Sequence, residues 1–197
     1  MSGVLTRYCE TLRGRSVAVL GAGVSNKPLI TLLLKNGVAV TVRDASGAEK
    51  FPAELLAGWT AQGAKLRLGE GYLEELTEDV IFRSPGVMPH TPQLARAVKV
   101  GSVLTSEMEA FMALCPCPIT AVTGSDGKTT TTTIIAGLLK AAGYKTWLGG
   151  NIGTPLLDKV EEMAAGDKVV LELSSFQLMT MPQSAQVAVV TNVAPNH

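Results

Sequence analysis

The chain has 197 residues, 46% hydrophobic and 17% charged, and its 17 Lys and Arg balance 17 Asp and Glu to no net charge. That composition suits one large or two small globular domains with buried cores. It excludes the basic stripe of a nucleic-acid or membrane-surface binder and leaves small anionic ligands as the expected partners.

No run approaches the roughly 20 apolar residues of a membrane-spanning helix, and Met1 to Arg15 is mixed polar without the apolar core of a secretion signal, so a cytoplasmic protein is expected. Cys9, Cys115 and Cys117 cannot all pair. The Cys-Pro-Cys spacing is neither a redox C-x-x-C nor half of a zinc site, which reads as reduced, structural thiols.

In chain order, Ser16 to Leu20 predicts a strand, Gly21-Ala22-Gly23-Val24-Ser25-Asn26 a tight turn, and Lys27 to Lys35 a helix stopped by Asn36-Gly37. Ala39 to Arg43 predicts a second strand with Asp44 at its carboxyl end. The unit resembles the dinucleotide fingerprint G-x-G-x-x-G followed by an acid about 20 residues on, but Asn26 replaces the third glycine. It therefore points to nucleotide binding at the strand ends and only weakly to NAD; the competing reading is a tight turn beside an exposed aspartate. Helices are then predicted over Pro52 to Gln62, Tyr72 to Leu76 (one turn) and Pro92 to Val100. Strands alternate with them at Lys65 to Leu68, Val80 to Arg83 and Ser102 to Thr105. Such alternation implies a parallel sheet with ligands at its carboxyl edge, where Gly21, Asp44 and Ser84 fall.

Ser106 to Leu114 predicts a helix, and the stiff Cys115-Pro116-Cys117-Pro118 connector sets a domain boundary between residues 114 and 115. A second alternation follows. A strand ending at Val122 leads into Gly124-Ser125-Asp126-Gly127-Lys128-Thr129-Thr130 and a helix to Ala142. Glycines that let backbone amides turn inward, ahead of a helix N-terminus, suit a polyphosphate; Lys128 would reach the outer phosphates and the Thr129 hydroxyl would meet Mg²⁺. The loop is shorter than G-x-x-x-x-G-K-[ST], and the bland reading is a strand-to-helix turn with an exposed lysine. Seven consecutive β-branched residues, Thr129 through Ile135, are a poor choice for helix propensity, so something else selects them. Further strands are predicted at Lys145 to Leu148, Lys168 to Leu173 and Val187 to Thr191, with a helix from Pro155 to about Ala164 capped by Thr154. Glu172 lies inside an apolar strand, where a buried carboxylate needs a partner such as a metal ion; the alternative is the solvent face of an edge strand.

Thr123-Gly124-Ser125-Asp126-Gly127-Lys128-Thr129-Thr130-Thr131, Gly149-Gly150-Asn151-Ile152-Gly153-Thr154-Pro155 and Glu172-Leu173-Ser174-Ser175-Phe176-Gln177-Leu178 together resemble the Mur ligase family. The last run is similar to the members that add D-glutamate. Ser84-Pro85-Gly86-Val87 and the Gly21-x-Gly23-x-Ser25 turn fit the same resemblance. It implies an α/β chain: a Rossmann-like parallel-sheet domain, residues 1–114, that binds the UDP-substrate, then part of a P-loop-type α/β ATP-binding domain, residues 115–197. It implies an ATP-dependent ligase of peptidoglycan synthesis, in which the alanine carboxylate of UDP-N-acetylmuramoyl-L-alanine is phosphorylated and the D-glutamate amine attacks the acyl phosphate.

By the same resemblance, Gly124, Gly127, Lys128, Thr129 and Thr130 would hold ATP, and Thr129, Glu172 and His197 would hold Mg²⁺, with Lys128, Glu172 and His197 the catalytic set. Asn151, Ser174 and Gln177 would face the muramoyl-alanine portion, and Val24, Ser25, Asp44 and Gly86 the uridine diphosphate. Asp126 stands where the family has Asn and must turn outward. Ala45-Ser46 follow Asp44 in place of a Thr-Arg pair, which leaves the basic diphosphate contact open, with Arg43 and Arg83 as the candidates to substitute. The family's amino-acid-binding domain is expected beyond His197, so the 197 residues alone are expected to be inactive, with the full enzyme a monomer. A P-loop kinase or a dehydrogenase accounts for one half of the chain only. A non-catalytic nucleotide-binding module derived from such a ligase is the alternative of a different class.

Overall fold

The computed structural model describes residues 3–195 as two compact units that divide between Glu107 and Met108. The first runs through α1 (Val4–Leu12), β1 (Ser16–Leu20), α2 (Asn26–Lys35), β2 (Ala39–Asp44), α3 (Ala53–Ala61), β3 (Lys65–Leu68), β4 (Val80–Arg83), α4 (Pro92–Lys99) and β5 (Val103–Thr105). Its five strands are all parallel, in the order β3-β2-β1-β4-β5. After β1 the chain builds outward through β2 and β3, then returns to the other side of β1. The reversal leaves a crevice at the carboxyl ends of β1 and β4, where ligands bind in such sheets. Val17, Ala18, Val19 and Leu20 are wholly buried, as expected of a central strand covered on both faces. Ala18, Leu20 and Ile81 pack with Leu94 and Ala97 of α4 on one of these faces.

The second unit holds most of α5 (Glu107–Leu114), then β6 (Ile119–Thr123), α6 (Lys128–Ala141), β7 (Thr146–Gly150), a 3₁₀ helix (Leu157–Glu162), β8 (Lys168–Glu172), α7 (Ser175–Leu178) and β9 (Val187–Val190). The sheet order is β7-β8-β6-β9, again parallel throughout. The units divide ahead of the expected connector at Cys115 because α5 packs onward. Met108, Phe111 and Met112 are buried, and the Thr180 hydroxyl donates to the Glu109 carboxylate at 2.8 Å.

Three local expectations change. The mixed-polar start contains α1, whose Leu5, Cys9 and Leu12 form a buried stripe at helical spacing. The turn expected at Tyr72 to Leu76 is irregular, with Gly69 and Gly71 at positive φ and Glu75 at φ 50°. Its carbonyls are taken elsewhere, as described below. The α-helix expected from Pro155 is a 3₁₀ helix because Leu157, Val160 and Met163, all buried, recur every third residue, the period of a 3₁₀ turn.

Part of the threonine run is accounted for here. Only Thr132 and Ala136 of α6 are buried, and the Thr132 and Thr133 hydroxyls donate to the carbonyls of Lys128 and Thr129, each at 2.7 Å. Such bonds to the preceding turn satisfy the hydroxyls within the helix itself.

Candidate functional site

In the first unit, Gly21 leaves β1 at φ 83°, and a Cβ there would lie 2.7 Å from Ser84 Oγ, so only glycine lets the two strand ends approach. Asn26, buried at the start of α2, donates to the carbonyls of Leu20 and Gly21 at 3.2 and 2.7 Å. That bridging of the turn is the structural use of the residue that replaces the third glycine. Asp44 accepts from the Ala22 amide on Oδ2 and the Ser46 amide on Oδ1, both at 2.7 Å. Its carboxylate therefore ties the ends of β1 and β2 together and keeps one lone pair per oxygen for anything else. Val24 is 76% exposed, Ser25 is half-buried, and Gly86 is exposed with open space where a side chain would be.

Neither arginine offers its guanidinium to this crevice. Arg43 is buried and spends all five N–H groups: Nε and Nη2 on the Glu78 carboxylate, Nη1 on the carbonyls of Tyr72 and Glu74, and Nη2 also on that of Glu75. This is why the 72–75 segment cannot form a helical turn. Arg83, equally buried, donates through Nη1 to the carbonyls of Ser84, Pro85 and Val87 and organises the turn after β4. The expectation that one of them meets a diphosphate is corrected: both are structural cations at the ends of strands. Tyr72, absent from the expected residues, sits close enough to Asp44 that its phenol is pushed up, first by burial and then by that negative charge. No sequence motif marks it.

In the second unit, the carboxyl ends of β6, β7 and β8 converge. Gly124 and Gly127 take φ 136° and 76°, and Gly127 is the N-cap of α6, whose first amides have no side-chain cap. Lys128 Nζ folds back to donate to the carbonyls of Gly124 at 2.7 Å and Ser125 at 2.8 Å. Thr129 Oγ1 donates to Glu172 Oε2 at 2.7 Å, and Asn151 Nδ2 donates to Glu172 Oε1 at 3.1 Å. β8 lies between β7 and β6, and Glu172 is 2% exposed, which removes the edge-strand reading. The neighbouring Gly150, at φ 100°, has the Glu172 carbonyl where a Cβ would stand, and the Asn151 amide donates to that carbonyl at 2.7 Å.

Thr129 and Asn151, the two side chains that bond the buried carboxylate, are themselves exposed. Among the described residues no Lys or Arg pairs with Glu172. A buried carboxylate held only by neutral donors favours a cation. Among the described residues no group of three His, Cys, Asp or Glu gathers. The donor set is one carboxylate and one hydroxyl, which fits Mg²⁺, an ion that keeps waters and phosphate oxygens as its remaining ligands. His197 lies outside the described residues.

Ser174 and Gln177, expected at the substrate, form a reciprocal capping box on α7. The Gln177 amide donates to Ser174 Oγ at 3.3 Å, and the Ser174 amide donates to Gln177 Oε1 at 2.9 Å. The side chain of Asp126 is exposed, as its charge beside a phosphate loop demands. Thr130 is exposed in the first turn of α6. Thr191 and Asn192, also missed by the sequence reading, join the phosphate loop: the Thr191 hydroxyl donates to the Asp126 carbonyl at 2.6 Å, and Asn192 accepts the Ser125 and Asp126 amides.

The Mur ligase middle domain family matches residues 122–197. Over 100% of its length the chain is 51% identical to UDP-N-acetylmuramoylalanine–D-glutamate ligases of Ruminiclostridium cellulolyticum and Acetivibrio thermocellus. It is 52% identical over 96% of its length to that of Clostridium perfringens. The chain spans 42% of the length of each. The crystal structure of the UDP-N-acetylmuramate:L-alanyl-gamma-D-glutamyl-meso-diaminopimelate ligase from Neisseria meningitides superposes over 93% of this chain and 62% of its own, with a TM-score of 0.50 and 18% identity. At that identity the likeness concerns the fold alone.

Proposed function

From the match of residues 122–197 to the Mur ligase middle domain, we propose that this chain supplies the nucleotide sites of an ATP-dependent ligase. The ligase joins D-glutamate to UDP-N-acetylmuramoyl-L-alanine in peptidoglycan synthesis, in the cytoplasm. The observation that carries the reading is the convergence of Thr129, Asn151 and Glu172 beside Lys128 at the uncapped start of α6. The identity to the D-glutamate ligases of clostridia and their kin supports the choice of substrate.

In this reading the amides of Gly127, Lys128, Thr129 and Thr130 receive the ATP phosphates, and Lys128 leaves its two carbonyls to meet the charge of the transferred phosphoryl group. Thr129 and Glu172 hold Mg²⁺, which when bound neutralises charge shared between phosphate oxygens. The γ-phosphoryl group passes to the alanine carboxylate with ADP as leaving group, and the D-glutamate amine then displaces phosphate to form the amide. No covalent protein nucleophile is needed, since positioning and charge neutralisation supply the rate. Asn151, Ser174 and Gln177 border the muramoyl-alanine end, Ser174 and Gln177 as a preformed rigid pair. Val24, Ser25, Asp44 and Gly86 line the uridine-diphosphate crevice, with the amides of the glycine turn, not an arginine, facing its phosphates.

The test is product formation by the protein of the complete gene with ATP, Mg²⁺, UDP-N-acetylmuramoyl-L-alanine and D-glutamate, followed by mass spectrometry. Hydroxylamine added in place of D-glutamate should trap the acyl phosphate as a hydroxamate. ATP hydrolysis with neither product would overturn the reading in favour of an uncoupled nucleotide-binding module.

A further inference from the structure

Asn192 accepts two consecutive amides of the phosphate loop: Ser125 N–H on its backbone carbonyl at 3.1 Å, and Asp126 N–H on its side-chain Oδ1 at 2.9 Å. In a trans peptide the N–H and the preceding C=O point in opposite directions. Fixing these two amides outward therefore turns the carbonyls of Gly124 and Ser125 the other way, and those are the two carbonyls that hold Lys128 Nζ, at 2.7 and 2.8 Å. The same segment is secured on both sides. Thr191 N donates to the Thr123 carbonyl at 2.9 Å, and Ser125 Oγ and the Ala194 backbone bond to each other in both directions at 2.8 Å. The approach is so close that a Cβ on Gly124 would meet Thr191 Oγ1 and come within 2.9 Å of the Asn192 carbonyl.

We propose that Asn192 is a positioning residue for Lys128: it orients the 124–125 and 125–126 peptide planes so that their carbonyls, not their amides, face the lysine. Two consequences follow from the geometry. The amides of Ser125 and Asp126 are withheld from phosphate, so the cradle consists of the amides from Gly127 onward. The ammonium is also held within reach of the loop's interior instead of swinging through solvent, which lowers the entropy lost when phosphate engages it. The proposal rests on the reading of this loop as an ATP site.

The experiment measures Mg·ATP affinity by calorimetry and Asp126 amide exchange by NMR in the 197-residue chain, in Asn192→Ala and in Asn192→Asp, with urea unfolding of the second unit, read by Trp147 fluorescence, as the folding control. Asn192→Ala should speed Asp126 exchange and weaken Mg·ATP by about fivefold or more, the scale of one lost hydrogen bond, while the second unit still unfolds cooperatively. Asn192→Asp keeps an acceptor at the same place and should restore slow exchange at Asp126. Faster exchange in Asn192→Ala with a smaller loss of Mg·ATP affinity overturns the positioning role, as does exchange that the substitution leaves unaltered. A parallel Lys128→Ala variant separates the two ideas. If the unaltered chain does not bind Mg·ATP, the ATP reading itself falls and the proposal with it; if Lys128→Ala binds Mg·ATP normally, an effect of Asn192 on affinity does not pass through the lysine and the positioning role is overturned. If Lys128→Ala loses affinity and Asn192→Ala does not, only the role of Asn192 is overturned.

Discussion

Each of the two units is a parallel sheet with a glycine turn and a carboxylate at its carboxyl edge, yet the carboxylates are used differently. Asp44 is fixed by backbone: one amide bonds each oxygen, which makes the residue a strut between β1 and β2 and leaves one lone pair per oxygen. Glu172 is more deeply buried but receives only a hydroxyl and a carboxamide, both of which can turn away. The contrast extends to the cations. Arg43 is locked by five donated bonds, whereas Lys128 rests on two carbonyls at the loop's mouth and is half-buried. Bonds to backbone mark a group that shapes the site; bonds to side chains alone mark a group whose partners can rotate to admit a ligand.

The strongest way to break this contrast is at its structural end. Arg43→Ala leaves Glu78 buried without a cation and strips three carbonyls of their donor, so the first unit should lose about 3–5 kcal/mol, the usual cost of breaking a buried pair. Urea unfolding followed by Trp59 fluorescence reads it, and a loss below about 1 kcal/mol would show that the Arg43 network is not the keystone described.

Lys128→Ala should leave unfolding by urea nearly unchanged and cut kcat of the complete ligase by about 10²–10³, as for removal of a group that meets transition-state charge. A variant that instead unfolds early would make Lys128 as structural as Arg43.

Glu172→Gln sharpens the contrast through the sign of its effect. A neutral side chain relieves the buried charge, so without Mg²⁺ the melting temperature should stay or rise, while the Mg²⁺ concentration needed for ATP binding rises about tenfold with the loss of an anionic ligand. A fall in melting temperature with unchanged Mg²⁺ dependence would place Glu172 with Asp44 among the struts.

The smallest expected effect concerns pH, with one group in each unit. Asp79 accepts the Ser16 amide and hydroxyl, both at 2.7 Å, and these bonds hold its carboxyl below the usual range. Asp167 is lowered first by the Trp147 indole N–H at 2.8 Å. A carboxylate depressed in the folded state contributes stability above its unfolded pKa of about 3.9, and that contribution is lost as pH falls through the lower folded value. Acid unfolding of Asp79→Asn and Asp167→Asn should therefore be less steep over that window than that of the unaltered chain. Equal slopes would remove the linkage.

The strands and their parallel sense were legible in the sequence because buried strands read as runs of Val, Ile and Leu and alternate with helices and glycine turns. The strand, loop and helix around Gly124 to Thr130 were legible as well, since the glycines mark a tight turn and Gly143 the end of the helix. What the sequence left open was which polar group satisfies which. Arg43 and Arg83 look alike to a sequence reader as basic residues near a nucleotide crevice. Only the packed structure shows them buried and donating to carbonyls, because the count of backbone acceptors around a guanidinium is a property of loops that meet in three dimensions. Asn192 was invisible for the same reason: its role depends on β9 pairing beside β6, which brings Thr191 to Thr123, 68 residues earlier, as the bond from Thr191 Oγ1 to the Thr123 carbonyl records. Glu172 marks the boundary between the two kinds of knowledge. Sequence showed that a carboxylate inside an apolar strand needs a partner, and tertiary structure alone decided that the strand is central and that its protein partners are neutral.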